Sequence, residues 1–306
     1  MIAILLLAFG CPDSPKSIEP FVTHVMGGRK PSPEQLQKII EKYQMIGGYS
    51  PLLDITRRQA IALETNLNSS KRDFRVFVGM RHWHPFIKDI LKEISLSGIE
   101  RIVSIIMAPH YSKISIDGYI NAFNDAKSEL SINTKISFIY GWYTNSLFLE
   151  AVAEEIKKGL SYFKGIDKKD IQIIFSAHSL PKKFMTKDDP YGKQLQETIE
   201  GIIRFTGDIS WHLGFQSKGM GDFEWLEPTV DFILERLSRE GKRYVLLVPI
   251  GFVSDHIETL YDIDIYFKGI AESFGMVFHR SGSLNDSPKF IKSLEAIVRE
   301  HLSAYT

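Results

Sequence analysis

The sequence predicts an α/β protein made of two similar Rossmann-like, doubly wound halves, each with a parallel four-stranded sheet, and a cleft between the halves. Eight short apolar runs alternate with amphipathic segments of helical period along the 306 residues. Continuous apolar strands separated by helices are typical of parallel sheets that are covered on both faces. The stretch YGWYTNSLF and the basic run KGIDKKD break this alternation near the middle of the chain.

Each predicted strand is a run of mainly branched or aromatic apolar residues: 2–9, 74–80, 101–107, 135–140, 171–176, 209–214, 243–249 and 276–279. The predicted helices repeat apolar residues three and four positions apart: 34–45, 54–67, 85–96, 116–130, 147–163, 192–205, 228–240 and 288–303. Eight strands fit either one barrel or two sheets, and the break near the middle favours two. We therefore expect an N-terminal half at 1–145 and a C-terminal half at 146–306, with the last helix able to pack back on the first half.

Composition removes several classes of protein. Lysine and arginine together number 37, as do aspartate and glutamate, so no general nucleic-acid partner is expected. The single cysteine, Cys11, excludes a disulfide within the chain and suits a reducing cytosol. The opening MIAILLLAFG lacks a basic segment and a small-residue cleavage site, and it is too short to span a bilayer. We expect a cytoplasmic protein without stable membrane insertion, in which this run is a buried first strand.

The residues that follow each predicted strand are the first candidates for a site, because open α/β sheets bind ligands beyond the carboxyl ends of their strands. No G-x-G-x-x-G opens a helix after a strand, and neither G-x-x-x-x-G-K-[ST] nor H-E-x-x-H occurs. Dinucleotide binding, P-loop nucleotide binding and zincin-type catalysis therefore lack their main signals.

His178 follows the apolar run that begins at Ile171, and an imidazole at the end of a strand can ligate a metal or act as a general base. The alternative is a loop histidine that bonds to its own turn. Glu258 follows a second strand, in SDHIETLYDID, and it shares a helix face with Asp262 four residues later. Its alternative role is in a capping box that starts at Asp255, with the acidic face solvated.

Taken together, His178 and Glu258 could line one cleft, since each follows a strand of the predicted C-terminal half. One neutral nitrogen and one carboxylate suit Fe²⁺, Zn²⁺ or Co²⁺ better than Mg²⁺. Two protein ligands leave coordination positions open, which suits transfer of a metal better than its storage.

Other stretches carry weaker signals. Gly27-Gly28 and Gly47-Gly48 bracket a predicted helix and look like the hinges of a lid, and the cations of Arg29 and Lys42 beside apolar Tyr43 fit a flat apolar ligand with carboxylate edges. The alternative is a helical hairpin with a solvated basic face. Trp225 could wall a planar ligand or pack in the core.

Three histidines follow predicted strands of the N-terminal half. His82 and His84 would point to one face if they lay on a strand, but Pro85 suggests that a helix starts there, so we expect a structural role for at least one of them. His110, in APHYS, is expected to form a turn.

Five stretches together resemble the ferrochelatase family in order and spacing: SAHSLP, GFQSKGMGDFEWLEP, VPIGFVSDHIETLYDID, APHYS and IGGYSPL. The likeness runs over essentially the whole chain. The segment GGRKPSPEQLQKIIEKYQMIGGYSPL and the short length are most similar to the Gram-positive, coproporphyrin-type enzymes of this family. The cysteines that hold an iron–sulfur cluster in the animal enzymes are absent from this sequence.

The resemblance implies a chelatase-type fold and a lyase that inserts Fe²⁺ into a porphyrin, most simply coproporphyrin III, in haem biosynthesis. It implies that His178 and Glu258 are catalytic, and that these two residues and Asp262 contact metal. The porphyrin contacts that it implies are Phe9, Met26, Lys42, Tyr43, Ser50 and Tyr119, to which the residue patterns add Arg29 and Trp225.

Fe²⁺ and the porphyrin are then substrates, and no tightly bound cofactor is expected. The resemblance leaves room for a second divalent cation near Asp262 and for contacts with other haem-pathway enzymes, and it implies a monomer.

Four positions depart from the coproporphyrin-type pattern. Phe9 stands where a tyrosine is usual, Met26 where a basic residue is usual, Lys42 for an arginine, and Tyr266 for an acid. Fewer cations should favour fewer carboxylates, so protoporphyrin IX, or another metal or tetrapyrrole, stays open as the substrate. Two further classes stay open: a non-catalytic porphyrin or haem carrier, and a two-lobed solute-binding protein, which would normally need an export signal.

Overall fold

The structure is a computed structural model that describes residues 1–219 and 223–304. Within these residues the chain forms eight β-strands: β1 Ile2–Ala8, β2 Phe74–Met80, β3 Arg101–Ile106, β4 Lys135–Ile139, β5 Ile171–His178, β6 Ser210–Gln216, β7 Tyr244–Pro249 and β8 Val277–Arg280. They make two separate four-stranded sheets, in the orders β2-β1-β3-β4 and β6-β5-β7-β8, and every strand pair is parallel. The predicted pair of parallel sheets is confirmed. The alternative prediction, one eight-stranded barrel, is wrong.

Helices connect the strands and cover both sheets. They are α1 Ile18–Val25, α2 Pro33–Met45, α3 Leu52–Leu67, α4 Ile87–Leu96, α5 Lys113–Glu129, α6 Ser146–Leu160, α7 Tyr191–Thr206, α8 Val230–Arg239, α9 Ile257–Leu260, α10 Lys268–Ser273 and α11 Pro288–Ser303. A π-helical segment, Asp262–Phe267, joins α9 to α10. None of the described helices combines the length and the apolar character that crossing a bilayer requires.

The strands are apolar runs because both of their faces are covered. In β1, the side chains from Ala3 to Leu7 are completely buried. They alternate between two separate clusters on the two faces of the sheet: Ile4 and Leu6 belong to one, and Leu5 and Leu7 to the other. This is the burial that the unbroken hydrophobic pattern predicts for a central parallel strand.

Several features of the fold were not predicted, among them helix α1 and the end of strand β5. Helix α1 is short, and it follows a proline- and serine-rich turn, so its eight residues give a weak periodic signal. Strand β5 continues two residues beyond its predicted end, because Ala177 and His178 pair in register with Phe215 and Gln216 of β6. His178 is therefore the last residue of a strand and is held by a neighbouring strand.

The two sheets share one packed core. Helix α11 packs against both α3, which covers the first sheet, and α6, which leads to the second sheet. At the centre of this contact the buried Phe290 ring lies 5.9 Å from Trp142, centroid to centroid. Both sheets reverse their strand order at an equivalent place, between β1 and β3 and between β5 and β7. Such switch points are where open α/β sheets form ligand crevices.

We expect Phe290→Ala to lower the free energy of unfolding by about 3–5 kcal/mol, because a fully buried aromatic ring is removed and a cavity remains. Phe232→Ala is the matched control, since that ring is 56% exposed and its loss should change the free energy of unfolding by about 0.5 kcal/mol or less. Urea denaturation followed by circular dichroism measures both. Equal losses of unfolding free energy in the two variants would contradict the conclusion that α11 packing against α3 and α6 stabilises the core.

Candidate active site

The candidate site is centred on a contact between His178 and Glu258. The Nδ1 atom of His178 lies 3.0 Å from Oε2 of Glu258, within hydrogen-bond distance, although the residues are 80 positions apart. The His178 side chain is 36% exposed and that of Glu258 is 27% exposed. The two strand-end groups singled out in the sequence therefore meet in one partly open place. Nε2 of His178 makes no hydrogen bond to another described residue, so its lone pair or proton is free for a ligand.

Glu258 does not take the capping role that was its alternative. The N-cap of α9 is His256, whose backbone N–H donates a hydrogen bond to Thr259 Oγ1 at 3.0 Å. Asp255, the predicted cap, instead accepts hydrogen bonds from Arg280 at 3.0 Å and from Ser283 at 2.7 Å. The Glu258 carboxylate is therefore not used as a helix cap, and it contacts His178 instead.

Neighbouring side chains fix the backbone around this pair. The Tyr191 hydroxyl donates to the carbonyl oxygen of His178 at 3.0 Å, and Gln216 Nε2 donates to the carbonyl oxygen of Glu258 at 2.9 Å. His256 Nε2 lies 3.9 Å from the Glu258 carboxylate. Hydrogen bonds from two elements, α7 and β6, thus hold the backbone of His178 and of Glu258, and the two side chains are held by their own contact.

The electrostatics of the pair favour the charged forms. Burial lowers the pKa of His178, but the adjacent Glu258 carboxylate outweighs it, and the pKa is raised above its ordinary value. Burial raises the pKa of Glu258, but the His178 ring outweighs it, and that pKa falls to about 2. At neutral pH the carboxylate is ionised and the imidazole is a stronger base than a free histidine.

Asp262 continues the acidic line outward, but not on a regular α-helix, because the π-helical segment begins at this residue. Its carboxylate accepts a hydrogen bond from Ser217 Oγ at 2.6 Å and lies 3.5 Å from Lys42 Nζ. Burial, with a smaller contribution from the negative charge of Glu258, raises the pKa of Asp262. Tyr266, one turn further on, is 48% exposed.

Lys42 brings helix α2 of the predicted lid into the site. Besides its contact with Asp262, its ammonium lies 4.8 Å from the centre of the Tyr261 ring. Since α2 belongs to the segment that follows β1, this contact joins the first half of the chain to the second.

The implied porphyrin contacts differ in how exposed they are. Phe9 is 43% exposed and its ring packs 4.5 Å from His82, while Met26 is partly buried in the cluster that α1 and α2 form. Tyr43 and Ser50 are buried. The structure brings Phe9, Met26 and Tyr43 into one neighbourhood, and it leaves the ring of Phe9 the most accessible of the three.

The remaining candidates are Tyr119, Trp225 and Arg29. Tyr119 is buried, and the Arg81 guanidinium lies 5.7 Å from the centre of its ring. Trp225 forms a β-bridge with Pro181 in the loop that follows His178. Arg29 is exposed and forms no ion pair with another described residue.

The potential metal ligands form a pair rather than a larger cage. In residues 1–219 and 223–304, no group of three or more histidine, cysteine, aspartate or glutamate side chains is arranged to hold one ion. His178 and Glu258 supply one nitrogen and one oxygen, a mixed set that suits a borderline divalent ion such as Fe²⁺.

Sequence reasoning did not single out Gln216 and Ser217, which support Glu258 and Asp262. Their position in the sequence could have identified them, because they lie at the carboxyl end of β6, the strand next to the one that carries His178. Ser217 adopts a positive φ of 59°, which is uncommon for a residue other than glycine, and this turn points its hydroxyl toward Asp262.

Solved structures with this architecture include SirB and CbiX. SirB from Bacillus subtilis, solved with Fe³⁺, superposes with a TM-score of 0.61 at 11% identity, over 98% of this chain and 94% of SirB. CbiX, described as the terminal enzyme of sirohaem biosynthesis in denitrifying bacteria, gives a TM-score of 0.53 at 10% identity, over 97% of this chain and 98% of CbiX. At these identities the likeness defines the class of fold, a chelatase-type pair of parallel sheets.

The sequence comparisons define the family. The ferrochelatase family model matches residues 1–302. A ferrochelatase of Herpetosiphon aurantiacus is 37% identical over 97% of both chains, and a coproporphyrin III ferrochelatase of Oceanobacillus iheyensis is 37% identical over 97% of this chain and 96% of its own. The chain belongs to the ferrochelatase family, and it is a metal-inserting chelatase of the lyase class.

We expect Glu258→Gln to lower the pKa of His178 from above 6.5 to below 6.5, because burial persists while the attracting charge is lost. Asp262→Asn is the matched control and should lower that pKa by a smaller amount, since Asp262 contributes less to it. Titration of the His178 ring signals by nuclear magnetic resonance measures the change. A His178 pKa that is the same in Glu258→Gln as in the parent protein would contradict this account.

The same variant tests how the pair stabilises the fold. Through His178, whose pKa is raised, the pair stabilises the fold fully below about pH 6.5 and loses this effect as pH rises through the folded-state pKa. Through Glu258, whose pKa is lowered, it stabilises the fold above about pH 4.5 and loses this effect as pH falls toward about 2. We expect the difference in unfolding free energy between the parent and Glu258→Gln to be largest between about pH 4.5 and 6.5, in urea denaturation at a series of pH values.

Proposed function

We propose that this protein inserts Fe²⁺ into coproporphyrin III, with His178 and Glu258 as its catalytic residues. The observation that carries the proposal is the 3.0 Å contact between Nδ1 of His178 and Oε2 of Glu258. His178 ends β5, and Glu258 lies on α9, which follows the neighbouring strand β7. An imidazole and a carboxylate in one partly open site can both accept protons and hold a borderline metal, and insertion requires both.

The proton chemistry follows from the hydrogen bond. When Nδ1–H of His178 donates to Glu258, the lone pair of the neutral ring is on Nε2, which makes no hydrogen bond to another described residue. Nε2 can then take a pyrrole N–H proton, and the resulting imidazolium is stabilised by the Glu258 carboxylate. Two such protons must leave the macrocycle for each iron that enters, so the pair must pass each one on to solvent.

The iron is the second substrate. Fe²⁺ must exchange water ligands for the four pyrrole nitrogens, and the Glu258 carboxylate can replace part of that water shell on the way. A planar macrocycle hides its nitrogen lone pairs, so a cleft that bends the ring would expose them, using binding energy from the rim. Phe9, which is aromatic and partly exposed, provides an apolar surface for such a ring but no metal ligand.

The choice of coproporphyrin III depends on charge at the rim. Coproporphyrin III has four propionates and protoporphyrin IX has two. The side chain of Lys42 is 45% exposed, and Arg29 is exposed on the segment between α1 and α2. Both cations can meet propionates, and the curated relatives at similar identity include proteins named for coproporphyrin III. Phe9 and Met26, which replace more polar residues of that type, favour protoporphyrin IX as the second candidate.

Four further expectations stay part of the proposal. One is the division into halves at 145/146, and the others are a monomeric state, a cytoplasmic location and the absence of a tightly bound cofactor. A second cation at Asp262 would have to compete with Lys42, which lies 3.5 Å from that carboxylate.

We expect His178→Ala to lower the rate of iron insertion by about 10²–10⁴-fold, because the proton acceptor is lost. The affinity for porphyrin should stay within a few fold of that of the parent protein. His279→Ala is the matched control, since that ring stacks on Tyr162 at 4.2 Å and makes no contact with Glu258. Absorbance of the metalloporphyrin measures insertion under anaerobic conditions, and fluorescence quenching measures binding. Turnover near the parent level in His178→Ala would refute the assignment.

We expect the parent protein to have a higher kcat/KM for coproporphyrin III than for protoporphyrin IX, and Lys42→Gln to reduce this preference by about tenfold, since a hydrogen bond between two charged groups contributes about 1.5–3 kcal/mol. Lys157→Gln, on an exposed turn of α6, is the matched control and should leave the ratio unchanged. The measurement is initial rates with both porphyrins. A parent preference for protoporphyrin IX would select the second candidate.

A further inference from the structure

A pair of histidines lies apart from His178, on the N-terminal half of the chain. Nδ1 of His24, in the last turn of α1, is 3.2 Å from Nδ1 of His82, which follows β2. His24 is exposed and His82 is partly buried. In this contact one of the two nitrogens carries a proton and the other accepts it in a hydrogen bond. Nothing in the proposed iron insertion uses this pair.

The spacing of the two nitrogens suits a metal ion. At metal–nitrogen distances of about 2.0–2.1 Å, a nitrogen–nitrogen separation of 3.2 Å corresponds to an angle at the metal of about 99–106°, close to tetrahedral. The ring centroids are 5.4 Å apart and the ring planes are inclined by 75°. A modest swing of the exposed His24 ring makes the two lone pairs converge on one point.

His82 is held in place before any ion arrives. Its backbone N–H donates to the carbonyl oxygen of Phe9 at 2.8 Å, and the Phe9 ring packs against its imidazole. On the other side, the His24 ring lies 5.2 Å from Phe86. A ligand that is fixed by its backbone and by aromatic packing loses little conformational freedom when it binds a metal.

The protonation state of His82 also suits a ligand. Burial, with smaller contributions from the positive charge of Arg81 and from the His24 ring, lowers the pKa of His82 to about 3. The ring is therefore neutral at physiological pH and has a lone pair to give. Arg81 repels a cation, so the site requires an ion with a strong preference for imidazole nitrogen.

The geometry points to a second metal site, in which His24 and His82 bind a borderline divalent cation such as Zn²⁺, Co²⁺ or Ni²⁺ through their Nδ1 atoms. Water fills the remaining positions. When the ion binds, the proton between the two nitrogens moves to Nε2 of the ring that carries it, and both Nδ1 lone pairs face the metal. Because a doubly protonated imidazole has no lone pair, binding weakens as pH falls. The site is carried by the first sheet and its first helix, whereas His178 and Glu258 belong to the second sheet.

Co²⁺ binding to the full chain tests this assignment, because tetrahedral and octahedral Co²⁺ differ in their visible absorption. The parent for the experiment carries His178→Ala and Glu258→Gln, which removes the candidate active site as a competing ligand. We expect this protein to take up Co²⁺, and His24→Ala or His82→Ala to weaken the apparent affinity at least about tenfold. His84→Ala, which removes an exposed neighbouring ring, is the matched control and should change the affinity less than about twofold.

A second measurement needs no variant at the site. Zn²⁺ added to the same protein should shift the Nδ1 resonances of both His24 and His82 in nitrogen-15 spectra, and those of His279 should stay in place. The proposal is overturned if the Co²⁺ affinity is the same with and without the two rings, if His84→Ala weakens it equally, or if Zn²⁺ leaves the Nδ1 resonances of His24 and His82 unmoved.

Discussion

The contact between the His178 imidazole and the Glu258 carboxylate is the interaction on which the candidate site depends. A partly buried carboxylate without a partner would lose hydration and take up a proton, and a partly buried imidazole would lose basicity. Each group removes the penalty of the other, as the raised pKa of His178 and the lowered pKa of Glu258 show. The same pairing gives the site a base and a metal-binding oxygen at one pH.

The fold supplies this contact by placing two strand ends side by side. β5 and β7 are neighbours in the second sheet. The strand order reverses between them, because β6 lies on the outer side of β5 and β8 on the outer side of β7. Arg280 also holds the segment that carries Glu258. Its guanidinium nitrogens lie 3.0 Å from an oxygen of Asp255 and 2.7 Å from an oxygen of Asp264. Arg280 thus balances the charge of two acids that flank Glu258 in the chain.

Most of the fold could be predicted, because the strands β1, β3, β5 and β7 are buried along nearly their whole length and leave mainly apolar runs in the sequence. Short elements were missed: eight residues of α1 give little periodicity, and the π-helical segment at Asp262 has no sequence signal of its own. In the site, position after a strand was enough to find His178 and Glu258. Contacts such as Ser217 with Asp262 could not be predicted, since they depend on a positive φ and on tertiary register.

Lys42 shows how the first half of the chain can act on the site in the second. Its ammonium compensates part of the charge of Asp262, whose pKa is nevertheless raised by burial and by the negative charge of Glu258. A cation that moves along the acidic line must therefore displace either the lysine or a proton. If a carboxylate of an incoming ligand draws Lys42 away from Asp262, the acid becomes free to meet an ion at that moment. Ligand binding at α2, the helix of the predicted lid, and metal access would then be coupled through the Lys42 side chain.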